Sequence, residues 1–109
     1  MTGVPELSVV VPVFNERAVL PELWRRLTEA LAGLRRGYEV VFVDDGSSDG
    51  SIEYLTELAR QESAVTVIVL SRNFGMEVAM SAGIDSAAGD HVVVVDRVVG
   101  RQSTPSSAD

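Results

Sequence analysis

The stretch YEVVFVDDGSSDG, residues 38–50, decides the fold because it joins a short Val-rich run to a turn of Asp, Gly and Ser. A run of this length, rich in β-branched and aromatic residues, is typical of a strand buried on both faces. The residues that follow are typical of a tight turn that leads into a helix. Residues 38–50 therefore predict a strand, a turn and the start of a helix.

Three further Val-rich runs lie on either side of this stretch, at residues 7–13, 65–70 and 91–95. Each suits a strand that is buried on both faces, like residues 38–43. The chain therefore has four predicted strands, separated by segments long enough to hold helices.

The three segments between the strands carry apolar residues at helical spacing. The first runs from Leu20 to Leu34 with Gly37 as its expected C-terminal cap, and the second starts at Asp49 or Ser51 as its expected N-cap. The third presents a face of small apolar residues: Val78, Ala79, Ala82 and Ala87.

The resulting order β-α-β-α-β-α-β predicts an α/β, Rossmann-like fold with a mainly parallel sheet and helices on both faces. Any ligand is expected at the carboxyl ends of the strands. We expect one ordered domain over residues 1–96. Residues 97–109 lose the periodicity and become rich in Ser and other polar residues, so they are predicted to be a disordered tail.

Composition excludes several classes of function. The chain of 109 residues has no Cys, which excludes disulfides, a thiolate nucleophile and Cys-ligated zinc. Its nine basic residues are all Arg, so a Schiff-base lysine and a P-loop lysine are absent. His91 is the single histidine, which excludes a site with several histidine ligands.

The net charge of −7 disfavours nucleic acid and anionic membranes as partners. An anionic ligand would need local help from Arg, a helix N-terminus or a metal ion. No apolar run approaches the ~20 residues of a membrane-spanning helix, so no transmembrane segment is expected. The first residues do not resemble a secretory signal, and a cytoplasmic location is expected.

Polar residues of potential chemical use follow each predicted strand, so four loops are expected to meet at one edge of the sheet. These residues are Asn15 and Glu16, then Asp44, Asp45 and Asp49, then Arg72 and Asn73, and finally Asp96.

The stretch at residues 44–50 is open to three interpretations. Its carboxylates could accept hydrogen bonds from a nucleobase N–H or a ribose hydroxyl. Alternatively, it could only form a turn and cap the next helix. It also matches the first half of an EF-hand calcium loop, although Thr56 stands where that loop has its bidentate Glu. A dinucleotide fingerprint and a Gly-x-Ser-x-Gly hydrolase motif are both absent.

Four ordered motifs resemble the N-terminal, nucleotide-binding half of a family 2 glycosyltransferase. They are VVVPVFNE at residues 9–16, VDDGSSDG at 43–50, SRNFG at 71–75, and AGID with AGD within 82–90. The third is similar to the branch with dolichol-phosphate mannosyltransferase and the bacterial polyprenyl-phosphate glycosyltransferases. The resemblance covers residues 7–96. It implies a GT-A fold, a UDP- or GDP-sugar donor, Mg²⁺ or Mn²⁺, a polyprenyl-phosphate acceptor, and inversion at the anomeric carbon.

The resemblance also implies a role for each residue that matches the family's motifs. The nucleotide pocket would be lined by Pro12, Val13 and Glu16, the base contacted by Asp45, and that loop supported by Asp44. The donor phosphates would lie near Arg72, and the metal would be held by Asp96, the first carboxylate of the family's Asp-x-Asp motif.

The chain departs from the family pattern after Asp96. Arg97 and Val98 follow it, so the second carboxylate of the motif is missing, and residues 97–109 do not resemble an acceptor-binding half. We therefore expect a truncated and catalytically impaired glycosyltransferase. The alternative is a non-catalytic nucleotide-binding module or an inactive gene fragment.

Overall fold

Four strands and three helices alternate along the chain in the computed structural model, which describes residues 5–34 and 37–95. The elements are β1 (Leu7–Val13), α1 (Leu20–Leu31), β2 (Tyr38–Asp44), α2 (Ser51–Gln61), β3 (Val65–Val69), α3 (Met76–Ser86) and β4 (His91–Val94). The predicted order is confirmed. Asp96 and the expected tail at residues 97–109 lie outside the described residues.

The strands form one parallel sheet in the order β3-β2-β1-β4. The chain moves from β1 to β2 to β3 in one direction, then returns across the sheet to place β4 on the far side of β1. The strand order therefore reverses between β1 and β4, and this switch point is where sheets of this kind bind ligands, outside the carboxyl ends of the strands. The predicted α/β fold class is confirmed.

One face of the sheet is covered by α1 and α2. The leucines of α1 recur every three or four residues, and Leu20, Leu23 and Leu31 are buried against β1 and β2. Trp24 packs beside Phe42 of β2, with ring centroids 6.2 Å apart. These residues belong to the larger of two apolar clusters, which therefore fixes α1 on the sheet.

The predicted end of α1 is wrong. The helix ends at Leu31, and Leu34 beyond it is 42% exposed. Ala32, and not Gly37, occupies the C-cap position, and the carbonyl of Gly37 accepts hydrogen bonds from the N–H groups of Glu6 and Leu7. Gly37, the residue before β2, is thus linked by hydrogen bonds to the start of β1.

The opposite face is covered by α3 through its smallest residues. Ala79 is fully buried, and a Cβ on Gly83 would collide with Cγ1 of Val10 and lie 3.0 Å from Cγ2 of Val43. The helix backbone therefore lies so close to β1 and β2 that only Ala and Gly fit. For this reason the expected burial of Val78 is wrong, and its side chain is 47% exposed.

Burial on both faces holds for β1 and β2 but not for β3 and β4. Within the described residues, β3 and β4 are the two outer strands, and α3 makes its main contacts with β1 and β2. Val69 and Val93 are accordingly about half exposed, Val93 at 49%. The expectation failed because a Val-rich run looks the same in a central strand and in an outer one.

The longest helix in the described part, α1, has 12 residues, and none of the helices there is long and apolar enough to cross a bilayer.

Candidate functional site

Three loops meet at the carboxyl edge of the sheet, as predicted. They comprise residues 14–19 after β1, residues 45–50 after β2 and residues 70–75 after β3. The fourth predicted member, Asp96, lies outside the described residues. The site therefore has to be built from the first three loops.

The loop after β1 and the loop after β2 are joined by reciprocal hydrogen bonds. The N–H of Asn15 donates to Oγ of Ser47 at 2.8 Å, and the N–H of Ser48 donates to Oδ1 of Asn15 at 2.8 Å. The N–H of Glu16 donates to Oγ of Ser51 at 3.2 Å. Asn15 has φ of +51°, a left-handed conformation that Asn adopts more readily than most residues. These bonds hold the two loops as one unit.

Asp49 completes this unit from the loop just before α2. Its Oδ2 accepts from the N–H of Arg17 at 3.0 Å, and its Oδ1 accepts from the N–H and the Oγ–H of Ser51 at 3.0 and 2.6 Å. Burial alone would raise the pKa of Asp49, but these hydrogen bonds outweigh it and lower the pKa below its ordinary value. Gly50, and not Asp49 or Ser51, occupies the N-cap position. Asp49 nevertheless binds the first N–H of the helix, so the turn-and-cap interpretation describes this residue well.

Asp45 connects the second loop to the third. The residue is 4% exposed, and its carboxylate accepts two hydrogen bonds, at Oδ1 from the N–H of Phe74 at 2.8 Å and at Oδ2 from the N–H of Gly75 at 3.0 Å. Its own N–H donates to the carbonyl of Val13 at 2.8 Å. The two N–H groups lie just before the first residue of α3, where the helix dipole favours a negative charge. Asp45 thus ties the ends of β1 and β2 to the start of α3.

Gly46 allows this close approach of the loops. It has φ of +84°, and a Cβ at this position would lie 2.6 Å from the carbonyl carbon of Arg72 and 2.6 Å from the nitrogen of Asn73. Any side chain here would push the backbone of the third loop away from the second.

Asp44 is fully buried beneath the same turn. Its Oδ1 accepts from the N–H of Ser47 at 2.7 Å, while its Oδ2 has no hydrogen-bond partner in the described part of the chain. The bond to Ser47 shapes the turn that carries Asp45. Its family-implied supporting role stays a prediction.

The three residues expected to line the nucleotide pocket differ in their surroundings. Pro12 is buried in β1, past the last residue of that strand that pairs with β4. Val13 packs with its side chain in the core under α1 and α2. Glu16 is half-buried, and its carbonyl accepts from the N–H groups at the start of α1. Their contact with a nucleotide stays a prediction.

Arg72 is exposed in the third loop, and its guanidinium lies 4.6 Å from the ring centroid of Phe74. A second guanidinium, which was not among the predicted site residues, belongs to Arg17 and lies 4.6 Å from the ring centroid of Tyr54. A signal was available, because Arg17 has no acidic residue three or four positions away, unlike Arg25 and its neighbours on α1.

No metal centre forms within residues 5–34 and 37–95, where no three His, Asp or Glu side chains come together. The calcium-loop interpretation gains no support from this part of the chain. A cavity of about 360 Å³ is lined by Glu6, Leu7, Leu34 and His91, at the amino ends of β1 and β4 and therefore away from the three loops.

The chain is similar to bacterial sugar transferases over most of its length. It is 47% identical over 94 residues to the undecaprenyl-phosphate 4-deoxy-4-formamido-L-arabinose transferase of Klebsiella pneumoniae, covering 85% of this chain and 29% of that protein. It is 45% identical over 91 residues to the uncharacterized glycosyltransferase YkcC of Bacillus subtilis, covering 84% of this chain and 28% of that protein. The chain thus spans under three-tenths of the length of these curated relatives.

Solved structures share the fold. The chain matches TarS of S. aureus in complex with UDP with a TM-score of 0.70 and 26% identity, over 83% of this chain and 26% of that one. It matches the mannosyltransferase PcManGT of Pyrobaculum calidifontis, in complex with GDP-Man and Mn²⁺, with a TM-score of 0.69 and 26% identity. This match covers 84% of this chain and 27% of that one. A family model described as glycosyl transferase family 2 matches residues 8–97. This match covers most of the chain, which therefore belongs to glycosyl transferase family 2.

Proposed function

We propose that the domain binds the nucleotide part of a UDP- or GDP-sugar at the carboxyl edge of its sheet. We also propose that the reaction it serves is transfer of the sugar, with inversion, to a polyprenyl phosphate. The first proposal is supported by the UDP and GDP-Man complexes of the similar structures. The second is supported by relatives named as undecaprenyl-phosphate transferases.

The position of Asp45 carries the proposal. This buried aspartate of the second loop is bonded to the end of β1 and to the third loop, and each of its carboxylate oxygens accepts one backbone N–H. An ionised carboxylate has about four acceptor positions, so about two remain for a ligand. Uracil and guanine present a ring N–H that such an acceptor can bind, whereas adenine donates only through its exocyclic amino group, which lies between two ring nitrogens that are acceptors. The site therefore suits uridine and guanosine nucleotides better than adenosine nucleotides.

A divalent cation, Mg²⁺ or Mn²⁺, belongs to the same proposal through Asp96 and the donor phosphates. Such an ion would neutralise charge on the departing diphosphate. The described residues supply no cluster of ligands for it, and Val98 stands where a second carboxylate is expected. Because Mg²⁺ is usually held by one or two carboxylates plus substrate phosphates, we propose weak metal-dependent donor binding and impaired transfer.

Calorimetric titration of the chain with UDP, GDP and ADP in the presence of Mn²⁺ tests nucleotide binding. We expect the Asp45→Asn variant to lose about 1.5–3 kcal/mol of binding free energy for UDP or GDP, the range for a hydrogen bond to a charged group. Asp85→Asn, at an exposed aspartate of α3, is the matched control and should bind as the unchanged chain does. Tightest binding of ADP would contradict the role of Asp45.

A non-catalytic nucleotide-binding module is the second candidate, and the missing carboxylate at Val98 favours it. Radiolabelled donor incubated with polyprenyl phosphate and Mn²⁺ separates the two. Nucleotide binding without lipid-linked product supports the module, whereas clear product would show that transfer is intact. A cytoplasmic location is also proposed, and fractionation of the producing cells would test it.

A further inference from the structure

Two of the five arginines in residues 5–34 and 37–95 differ from the others. Arg25, Arg26 and Arg60 each form an ion pair with a glutamate of their own helix. Arg17 and Arg72 lie in loops at the carboxyl edge, and within these ranges neither guanidinium reaches a carboxylate. In a chain of net charge −7, two positive charges are thus left uncompensated beside the candidate site.

The side chain of Arg17 is held in a defined position. Its backbone N–H donates to Asp49, and its guanidinium lies 4.6 Å from the ring centroid of Tyr54 on α2. Its stem passes Gly50, where a Cβ would lie 3.6 Å from Cγ of Arg17. Within residues 5–34 and 37–95 the guanidinium donates no hydrogen bond, so its N–H groups are open to a ligand, and ordering the side chain beforehand reduces the entropy lost on binding.

We propose that Arg17 binds a phosphate group of a ligand at the carboxyl edge, at the end of the 46–50 turn away from Arg72. The contact with Gly50 places Arg17 at the end of this turn, while Gly46 at its start lies against the backbone of Arg72. The planar fork of an arginine fits two phosphate oxygens at once. This inference rests on the proposed function where the phosphate is that of a nucleotide. A lipid phosphate headgroup offers the same chemistry.

The test compares Arg17→Gln with Arg60→Gln in the full 109-residue chain. Arg60 is a matched control because it is an exposed arginine of α2 that pairs with Glu57. Binding is measured for UDP and GDP by calorimetry, and for vesicles with and without an anionic phospholipid by sedimentation. We expect Arg17→Gln to lower the affinity for one of these two ligands by about tenfold at low salt, which corresponds to the lower end of the range for a charged hydrogen bond. The ligand whose affinity falls identifies the source of the phosphate.

Two variants of Tyr54 test whether phosphate binding by Arg17 depends on its contact with the ring of Tyr54. Tyr54→Phe keeps the stacking and should bind normally, whereas Tyr54→Leu should weaken binding of the same ligand. The difference in ligand affinity between Arg17→Gln and the unchanged chain should become smaller as the salt concentration rises, because salt screens an exposed charge. A purely structural role would lower the urea midpoint and leave the salt dependence unaltered.

Several results would overturn the inference. If Arg17→Gln and Arg60→Gln bind both ligands equally well, Arg17 contacts no phosphate, although nucleotide binding by the unchanged chain would still support the proposed function. If the unchanged chain binds neither nucleotides nor anionic vesicles, the inference fails, and the proposed function fails with it. If the affinity of Arg17→Gln falls only in parallel with its urea midpoint, the arginine is structural.

Discussion

Replacing Gly46 by alanine should be among the most damaging single-methyl additions to this domain. The new Cβ would lie 2.6 Å from the carbonyl carbon of Arg72 and the nitrogen of Asn73, whereas carbon atoms normally rest about 3.5–4.0 Å apart. The third loop would have to move by about 1 Å, and it carries the N–H groups that bind Asp45.

Two costs add at this position. A residue with a Cβ at φ of +84° costs about 1–3 kcal/mol, and overpacking against backbone costs about 1–3 kcal/mol more. We therefore expect Gly46→Ala to lower the free energy of unfolding by about 2–6 kcal/mol, out of the total of about 5–15 kcal/mol that is usual for folded domains.

Two control variants separate these costs. Gly75 has φ of +108° but open space around it, so Gly75→Ala should lose only the backbone cost of about 1–3 kcal/mol. Gly33 has no positive φ, and a Cβ at Gly33 would meet no heavy atom within 4 Å. Gly33→Ala should therefore be neutral or stabilising by up to about 1 kcal/mol.

The assay is urea unfolding followed by the fluorescence of Trp24, the single tryptophan, which packs beside Phe42 in the core. The expected order of stability is Gly33→Ala, then Gly75→Ala, then Gly46→Ala. If Gly46→Ala is no less stable than Gly75→Ala, the second and third loops do not approach each other as described, and the argument for a joined site fails.

Two further predictions concern other contacts. The pKa of Asp49 is lowered in the folded chain, so its contribution to stability is present above its ordinary pKa of 3.8 and is lost as pH falls through the folded value. The urea midpoint should accordingly fall below about pH 4, and Asp49→Asn should reduce this fall; equal pH profiles would contradict it. Gly89→Ala would place a Cβ 2.6 Å from Oγ of Ser8 and 2.8 Å from its nitrogen, which should destabilise the chain by about 1–3 kcal/mol. A urea midpoint equal to that of Gly33→Ala would refute this close packing.

The elements were predictable from the sequence because valine-rich runs and leucine spacing record local periodicity. The face of α3 was not fully predictable, since the exposure of Val78 and the burial of Gly83 follow from the short distance between the helix and Val10, which the sequence does not record. The same limit applies to the site. That carboxylates follow β2 is visible in the sequence, but the bonding of Asp45 to two N–H groups about thirty residues away depends on how the loops pack in three dimensions.

Pro12 ends the hydrogen bonding between β1 and β4 at the switch point. The N–H of Val95 donates to the carbonyl of Val10, and by the alternation of a parallel ladder the next bond toward β4 would come from the nitrogen of residue 12. Proline has no N–H, so β1 cannot extend its pairing with the carbonyl of Val95. Strands β1 and β4 can part beyond this level without breaking a hydrogen bond. A ligand that enters the crevice between them therefore does not compete with the sheet for backbone partners.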